Sequence, residues 1–297
     1  SMSLIQIRLH ATQNDVEALE NALLGCGALS VTLQDDADQP ILEPELGTTP
    51  MWDETQVIGL FAADTDAQEL SDQLAIMFKV EGGDVLPPFK IEIVEDKDWV
   101  RAWMDDYHPM PFGERLWVCP SWREPPHADA VNLMLDPGLA FGTGTHPTTA
   151  LCLTYLDGAV AGDELVVDYG CGSGILGIAA LLLGARHMIG VDIDPQALTA
   201  TRDNAGRNNI DDSRYEIYLP EDTPAIQADI TVANILAGPL ADLAEHIASL
   251  TRSGGKLALS GLLAEQAEEI SACYSQWFTM NPAKQLGDWV VLTGIKH

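Results

Sequence analysis

From residue 164 to the end of the chain, short apolar runs of strand length alternate with longer segments of helical pattern. This alternation constrains the fold more than any other feature. Glu164–Asp168, built on Leu165, Val166 and Val167, reads as a strand. Ile175–Gly184 reads as an apolar helix, Met188–Val191 as a strand, and Pro195–Asn208 as a helix with proline in its first turn. Arg214–Tyr218, Ile230–Val232 and Lys256–Ser260 continue the strands; Pro239–Leu250 and Ala264–Tyr274 continue the helices. Trp277–Met280 and Trp289–Ile295 close the series as strands. Strands separated by helix-length segments predict an α/β fold with a doubly wound, mostly parallel sheet. Such a sheet binds ligands beyond the carboxyl ends of its strands, where the strand order reverses. The residues that follow each strand are therefore the ones to read for chemistry.

The first of these strands runs into Asp168-Tyr169-Gly170-Cys171-Gly172-Ser173-Gly174-Ile175-Leu176-Gly177. Glycines let backbone approach a ligand closely, and the N-terminus of the following helix offers free N–H groups. Gly172, Gly174 and Gly177 fit the G-x-G-x-x-G spacing of dinucleotide sites. The second strand ends in Val191-Asp192-Ile193-Asp194. Asp192 has the position of a carboxylate that hydrogen-bonds a ribose diol, whereas Asp194, ahead of Pro195, is expected to cap a helix. An adenosine-type cofactor is indicated, with nicotinamide and S-adenosylmethionine both open at this point.

The front third has a different rhythm. Residues 4–10 alternate apolar and polar like a half-buried strand. Residues 14–24 form an amphipathic helix, with Asn14 and Glu17 as its expected capping pair and Gly25 and Gly27 closing it. Strands are expected at 28–34 and 55–63, separated by an acidic loop carrying Pro40, Pro44, Gly47 and Pro50. A helix at 66–78 and a strand at 89–94 complete a β-α-β-β-α-β order, the split-βαβ, ferredoxin-like pattern of a small α+β domain over residues 1–95. This segment holds 18 acidic and 3 basic residues and no nucleophile motif. It reads as a recognition or packing module, with binding of a basic macromolecule set against a merely solvated surface.

Across the chain, 15 basic residues stand against 45 acidic ones, a net charge of −30 that excludes a basic nucleic-acid footprint. The apolar run Ile175–Ala185 is too short to span a bilayer. The segment Ser1-Met2-Ser3-Leu4 has no basic leader, and the five cysteines show no CxxC spacing. A cytoplasmic chain without a metal site, a disulfide framework or a membrane partner is expected. Residues 96–127 are expected as a linker or hinge. They hold Trp99, Trp103, Trp117 and Trp122, read as rings that cement two domains or as an aromatic wall for a substrate. The catalytic domain is then expected over 128–297.

Two details bear on the cofactor. An acidic residue, Asp168, ahead of three alternate glycines resembles motif I of class I S-adenosylmethionine methyltransferases. The fourth strand ends in Ala233-Asn234-Ile235-Leu236-Ala237-Gly238-Pro239, which resembles the Asn/Asp-Pro-Pro-aromatic motif of methyltransferases acting on amino nitrogens, with Ile-Leu-Ala replacing Pro-Pro-aromatic. Methyl transfer from a sulfonium is an in-line displacement, so the attacking amine needs its lone pair aimed. An Asn oxygen and a neighbouring carbonyl can accept its N–H bonds and aim it, with no covalent intermediate.

The segment Asp136-Pro137-Gly138-Leu139-Ala140-Phe141-Gly142-Thr143-Gly144-Thr145-His146-Pro147-Thr148-Thr149 precedes this domain. Thr145 through Thr149 are candidate helix caps; His146 is weighed as a capping or packing residue and as a base. Together with 168–174, Ala233–Leu236 and the junction residues Asp98, Trp99, Gly113, Arg115–Val118, Pro120 and Trp122, it is similar to the PrmA family. These are the methyltransferases of large-subunit ribosomal protein L-eleven (L11). The resemblance implies a Rossmann-like class I methyltransferase domain, S-adenosylmethionine as cofactor and L11 as protein substrate. It implies that Thr149 contacts the cofactor, Gly170 lines its methionine end with Gly172 beside it, Asp192 holds the ribose, and Asn234 sits at the methyl group as the catalytic residue. The amines methylated would be an α-amine and lysine ε-amines. Methylation of another protein, a nucleic acid or a small amine is the alternative; a dinucleotide oxidoreductase and a non-catalytic binding protein are weaker rivals.

Overall fold

Alternating burial along one strand organises the front unit. The computed structural model describes residues 3–35, 54–95, 108–135 and 147–297, and the chain divides into the units Ser1–Asp96 and Lys97–His297. In the first unit, β1 (Ser3–Thr12) turns Ile5, Ile7, Leu9 and Ala11 into the core. Helix α1 (Val16–Gly25) follows, then β2 (Ser30–Asp35), β3 (Glu54–Ala62), α2 (Ala67–Val80) and β4 (Phe89–Glu95). The sheet order is β2-β3-β1-β4, and all neighbours are antiparallel. Leu19 and Leu23 of α1 and Leu70, Leu74 and Phe78 of α2 are buried with the inward residues of β1. On β1 and β4, Arg8 pairs with Glu92 at 2.9 Å.

The capping pair expected at Asn14 and Glu17 is not formed. A 3-10 turn, Gln13–Asp15, leads into α1, and Asp15 already has helical backbone angles and makes no side-chain cap bond. A capping side chain needs an extended residue at that position. Asp66, ahead of α2, is extended and accepts from the Glu69 N–H at 2.9 Å. The acidic loop at 36–53 lies outside the described residues.

The second unit opens with a three-stranded sheet, β5 (Met110–Phe112), β6 (Leu116–Cys119) and β7 (Val131–Met134), in the order β5-β6-β7. Helix α3 (Pro147–Ala159) leads into the main sheet: β8 (Leu165–Tyr169), α4 (Ile175–Leu182), β9 (His187–Val191), α5 (Pro195–Arg207), β10 (Tyr215–Tyr218) and β11 (Ala228–Asn234). It continues with α6 (Ala237–Asp242), α7 (Ala244–Leu250), β12 (Thr251–Leu263), α8 (Ala267–Tyr274), β13 (Phe278–Met280), β14 (Lys284–Leu286) and β15 (Trp289–Lys296). The order is β10-β9-β8-β11-β12-β15-β13, with β14 added on β15. Strands β8 to β12 are parallel and β15 is antiparallel. Alternate residues feed two cores: Val166, Val232 and Ala258 face α3 and α4, while Val167, Ala233 and Leu259 face α6, α7 and α8. From β8 the chain winds outward to β10, then returns to β11 on the other side of β8. The switch point therefore lies between β8 and β11.

One helix was expected over Pro239–Leu250; two are observed. The Tyr274 hydroxyl donates to the Leu240 carbonyl at 2.7 Å, taking the acceptor that a continuous helix would give to Ala244. A side chain inserted in the ladder breaks a helix at that turn.

The segment expected as a hinge is, within its described part, built into the second unit. Phe112, Leu116 and Val118 share a core with Cys152, Leu153 and Leu156 of α3. The buried Asp157 carboxylate accepts the N–H groups of Glu114 at 2.8 Å and of Arg115 and Leu116 at 2.9 Å. Arg115 returns two bonds to the end of α3, to the carbonyls of Asp157 and Val160 at 2.6 and 2.7 Å. A β-carbon on Gly113 would overlap the Asp157 carboxylate. Trp117 packs on His127, with ring centroids 5.1 Å apart, and Trp122 is exposed. Trp99 and Trp103 lie outside the described residues.

Other cations serve helix ends in the same way. Arg214 donates to the Leu181 and Ala185 carbonyls after α4, Lys256 to Ala159 at the end of α3, and Lys296 to Ala248 and Thr251 at the end of α7. Positive charge there complements the helix dipole and satisfies carbonyls that have no partner within the helix.

Candidate cofactor and amine site

The carboxyl ends of β8, β9 and β11 converge at the switch point. Asp168, only 1% exposed, accepts the Gly177 N–H at 3.0 Å and so ties α4 to the end of β8. Gly177 packs its α-carbon against Met188 of β9, with no room for a side chain. Between these anchors, the N–H groups of Gly170 and Cys171 both donate to the Val191 carbonyl, at 2.7 and 3.0 Å. Gly170, Gly172 and Gly174 have φ of +76°, +54° and +81°. A β-carbon on Gly172 would meet only the Gly170 carbonyl oxygen, at 4.0 Å; glycine is needed there for its backbone angles, and it leaves the loop open to approach.

Asp192, 2% exposed, is joined directly to this loop. One carboxylate oxygen accepts the Gly172 N–H and the other the Asp194 N–H, each at 2.9 Å. Asp194 accepts the Gln196 N–H at 2.9 Å and caps α5, with Pro195 in the first turn, as its position predicted. Burial, and then the Asp192 charge, raise the pKa of Tyr169, so its hydroxyl stays protonated.

Helix α5 braces the loop from behind. Thr201 donates to the Gly172 carbonyl at 3.2 Å and Asn204 to the Ser173 carbonyl at 2.8 Å. Asn208 accepts the Met134 N–H at 2.7 Å and donates to the Met134 carbonyl at 3.0 Å, fixing the end of β7. Sequence reading missed this row. Its signal was three small polar residues at helical spacing on a face that also carries buried Ala197 and Ala205.

Asn234 closes β11 opposite Ser260, and its neighbour Ala233 lies opposite Tyr169. The Asn234 side-chain oxygen is buried and has no hydrogen-bond partner among the described residues. The same holds for the hydroxyls of Thr149 and Ser173. Thr149 is therefore not the helix cap that was considered: it lies within the first turn of α3 and caps nothing. One turn later, Cys152 lies beside Asp168 and Ser260, which places this end of α3 over the carboxyl ends of β8 and β12. Burial, followed by the Asp168 charge, pushes the Cys152 thiol up to about 12, so it is no nucleophile at neutral pH. His146 and the rest of the 136–146 loop lie outside the described residues.

The structure thus gathers Gly170, Gly172, Asp192 and Asn234 at one switch point, with Thr149 over the strand ends. Buried polar atoms without partners carry a desolvation cost in a folded protein unless a ligand meets them. Acceptors and donors of this kind, around an open glycine loop and a carboxylate, suit a nucleoside with an amino-acid end.

The family description "Ribosomal protein L11 methyltransferase (PrmA)" matches residues 3–297. The chain belongs to the PrmA family. It is 57% identical over 297 residues to the ribosomal protein L11 methyltransferase of Marinomonas sp. (strain MWYL1), covering 100% of both chains. Against the protein of that name from Pseudomonas aeruginosa (strain LESB58), identity is 56% over 293 residues, 99% of this chain and 98% of the other. The crystal structure of the ribosomal protein L11 methylase of Lactobacillus delbrueckii subsp. bulgaricus superposes with a TM-score of 0.57 at 34% identity, covering 64% of this chain and 100% of that one. The second unit accordingly has the Rossmann-like fold of class I methyltransferases within the PrmA family.

Proposed function

We propose that this PrmA-family chain transfers methyl groups from S-adenosylmethionine to amino groups of ribosomal protein L11. The observation that carries the reading is the buried, partnerless Asn234 oxygen at the end of β11, whose neighbour Ile235 packs on Gly170 of the glycine loop. S-adenosylmethionine, when bound, supplies an electrophilic methyl group on a sulfonium. Asp192, fixed at the end of β9 by its bonds to the Gly172 and Asp194 N–H groups, holds the ribose hydroxyls. Gly170 and Gly172 line the opposite end of the cofactor, and the Thr149 hydroxyl contacts it. Asn234 accepts an N–H of the incoming amine and orients its lone pair. A lysine amine has an unperturbed pKa near 10.4 and must lose a proton before it attacks. The neutral amide oxygen of Asn234 accepts a bond without holding the ammonium form as a carboxylate would.

Replacing Asp192 by alanine is expected to weaken cofactor binding by about 1–3 kcal/mol, roughly five- to 150-fold. Calorimetry with S-adenosylhomocysteine checks this; an unchanged Kd would remove Asp192 from the ribose.

Residues 1–95 serve as the recognition domain in this reading, supported by an acidic surplus of 18 to 3 and by a four-stranded antiparallel sheet of their own. The five cysteines are free thiols, which suits a cytoplasmic chain; among the described residues no helix is long and apolar enough to cross a membrane.

Intact-protein mass spectrometry of unmodified L11 incubated with the chain and S-adenosylmethionine tests the function. Mass steps of one methylene each are expected with the full chain, and none with a chain beginning at Lys97 that still binds the cofactor. No step with the full chain would move the substrate elsewhere. Equal methylation by both chains would deny residues 1–95 their role.

A further inference from the structure

We infer that Gly261 is a positioning residue for methyl transfer: through backbone contact with Ile235 it fixes the strand end that carries Asn234. The inference rests on the amine-orienting reading of Asn234. Strand β12 pairs Leu259 with Leu292 and then Leu262 with Val290, so three steps on β12 match two on β15. The extra residue makes a bulge at Ser260–Gly261. The Ser260 hydroxyl donates to the Val290 carbonyl at 2.9 Å, using an acceptor on β15 beside the bulge. At the bulge Gly261 lies against Ile235, the residue after β11. There its φ is +92°, and a β-carbon would overlap the Ile235 carbonyl oxygen, 2.7 Å from the carbonyl carbon and 3.0 Å from the nitrogen. These are backbone atoms, so no rotamer change relieves the contact. The Ile235 N–H is held from the same side by the Ser260 carbonyl at 3.1 Å.

On its other side, Ile235 lays its γ-methyl on the α-carbon of Gly170, where a side chain would again collide. Ile235 is thus gripped between two glycines, one just after β8 and one in the bulge of β12. Asn234 is the residue immediately before it. A β-carbon at position 261 must push the Ile235 carbonyl away and carry Asn234 with it. Misplacement of a reacting geometry by 1 Å costs on the order of a hundredfold in rate.

The test is Gly261→Ala, measured beside Asn234→Ala and the control Gly254→Ala. Gly254 has a φ of +77°, and its nearest neighbour is the flexible end of Arg252 at 3.2 Å. Alanine there carries a similar backbone strain away from the site. For Gly261→Ala, kcat at saturating cofactor and L11 is expected to fall about ten- to a hundredfold, with the Kd for S-adenosylhomocysteine within about threefold of the parent. Gly254→Ala should keep the parent kcat. Parent-like kcat in Gly261→Ala, or an equal loss in Gly254→Ala, overturns the positioning role. Parent-like kcat in Asn234→Ala instead overturns the reading of Asn234 itself. Should Gly261→Ala fail to fold, Ile235→Ala, which removes the grip on Gly170, replaces it. At least a tenfold loss of kcat is then expected, and a loss under twofold overturns the inference.

Discussion

Turnover of the Asn234→Ala variant is expected to fall about a hundredfold, while its affinity for S-adenosylhomocysteine changes by no more than a few-fold. The oxygen removed is buried at the end of β11 and bonded to nothing in the described protein, so its loss breaks no internal hydrogen bond. The deletion can even relieve a small desolvation cost in the free enzyme. What it takes away is an acceptor used when the amine arrives, and with it the alignment of the attacking lone pair. Steady-state kinetics and calorimetry on one preparation separate the two quantities. Equal losses in both would make Asn234 a cofactor ligand only.

The second large effect is on stability. Asp157→Ala is expected to lower the stability of the second unit by about 3 kcal/mol, because three N–H groups, that of Leu116 buried, lose their acceptor together. For a unit of this size that corresponds to a fall in melting temperature of about 6–12 °C. Asp157→Asn keeps one acceptor oxygen and should lose about half as much. Thermal unfolding followed by circular dichroism distinguishes these. A shift below about 2 °C for the alanine variant would mean that the β5–β6 turn is held by Arg115 and by apolar packing alone.

The parts of the site legible in the sequence are those whose meaning is local. Gly170, Gly172, Asp192 and Asn234 each follow a strand, and strand ends in an alternating α/β pattern are where ligands bind. Asp194 was readable as a cap because Pro195 stands next to it. The groups that were missed act over distance in the chain. Asp157 receives N–H groups from residues 41 to 43 positions earlier, and nothing in an apolar helix announces that. Thr201 and Asn204 bond a loop about 30 residues away. The break between α6 and α7 is made by a tyrosine hydroxyl 34 residues downstream. The Asn14 cap failed for the opposite reason: the residue types suited a cap, but the backbone arrives already wound.

The cations at the helix ends have a consequence for how the second unit meets other molecules. Arg214, Lys256 and Lys296 lie where helices α4, α3 and α7 finish, at the edge where the following strands begin. Each is pinned by backbone carbonyls rather than left on a mobile stem, so it cannot swing out to meet an approaching acidic group. What these charges still exert outward acts through water, and it fades as added salt shortens the screening length to about 10 Å at 0.1 M.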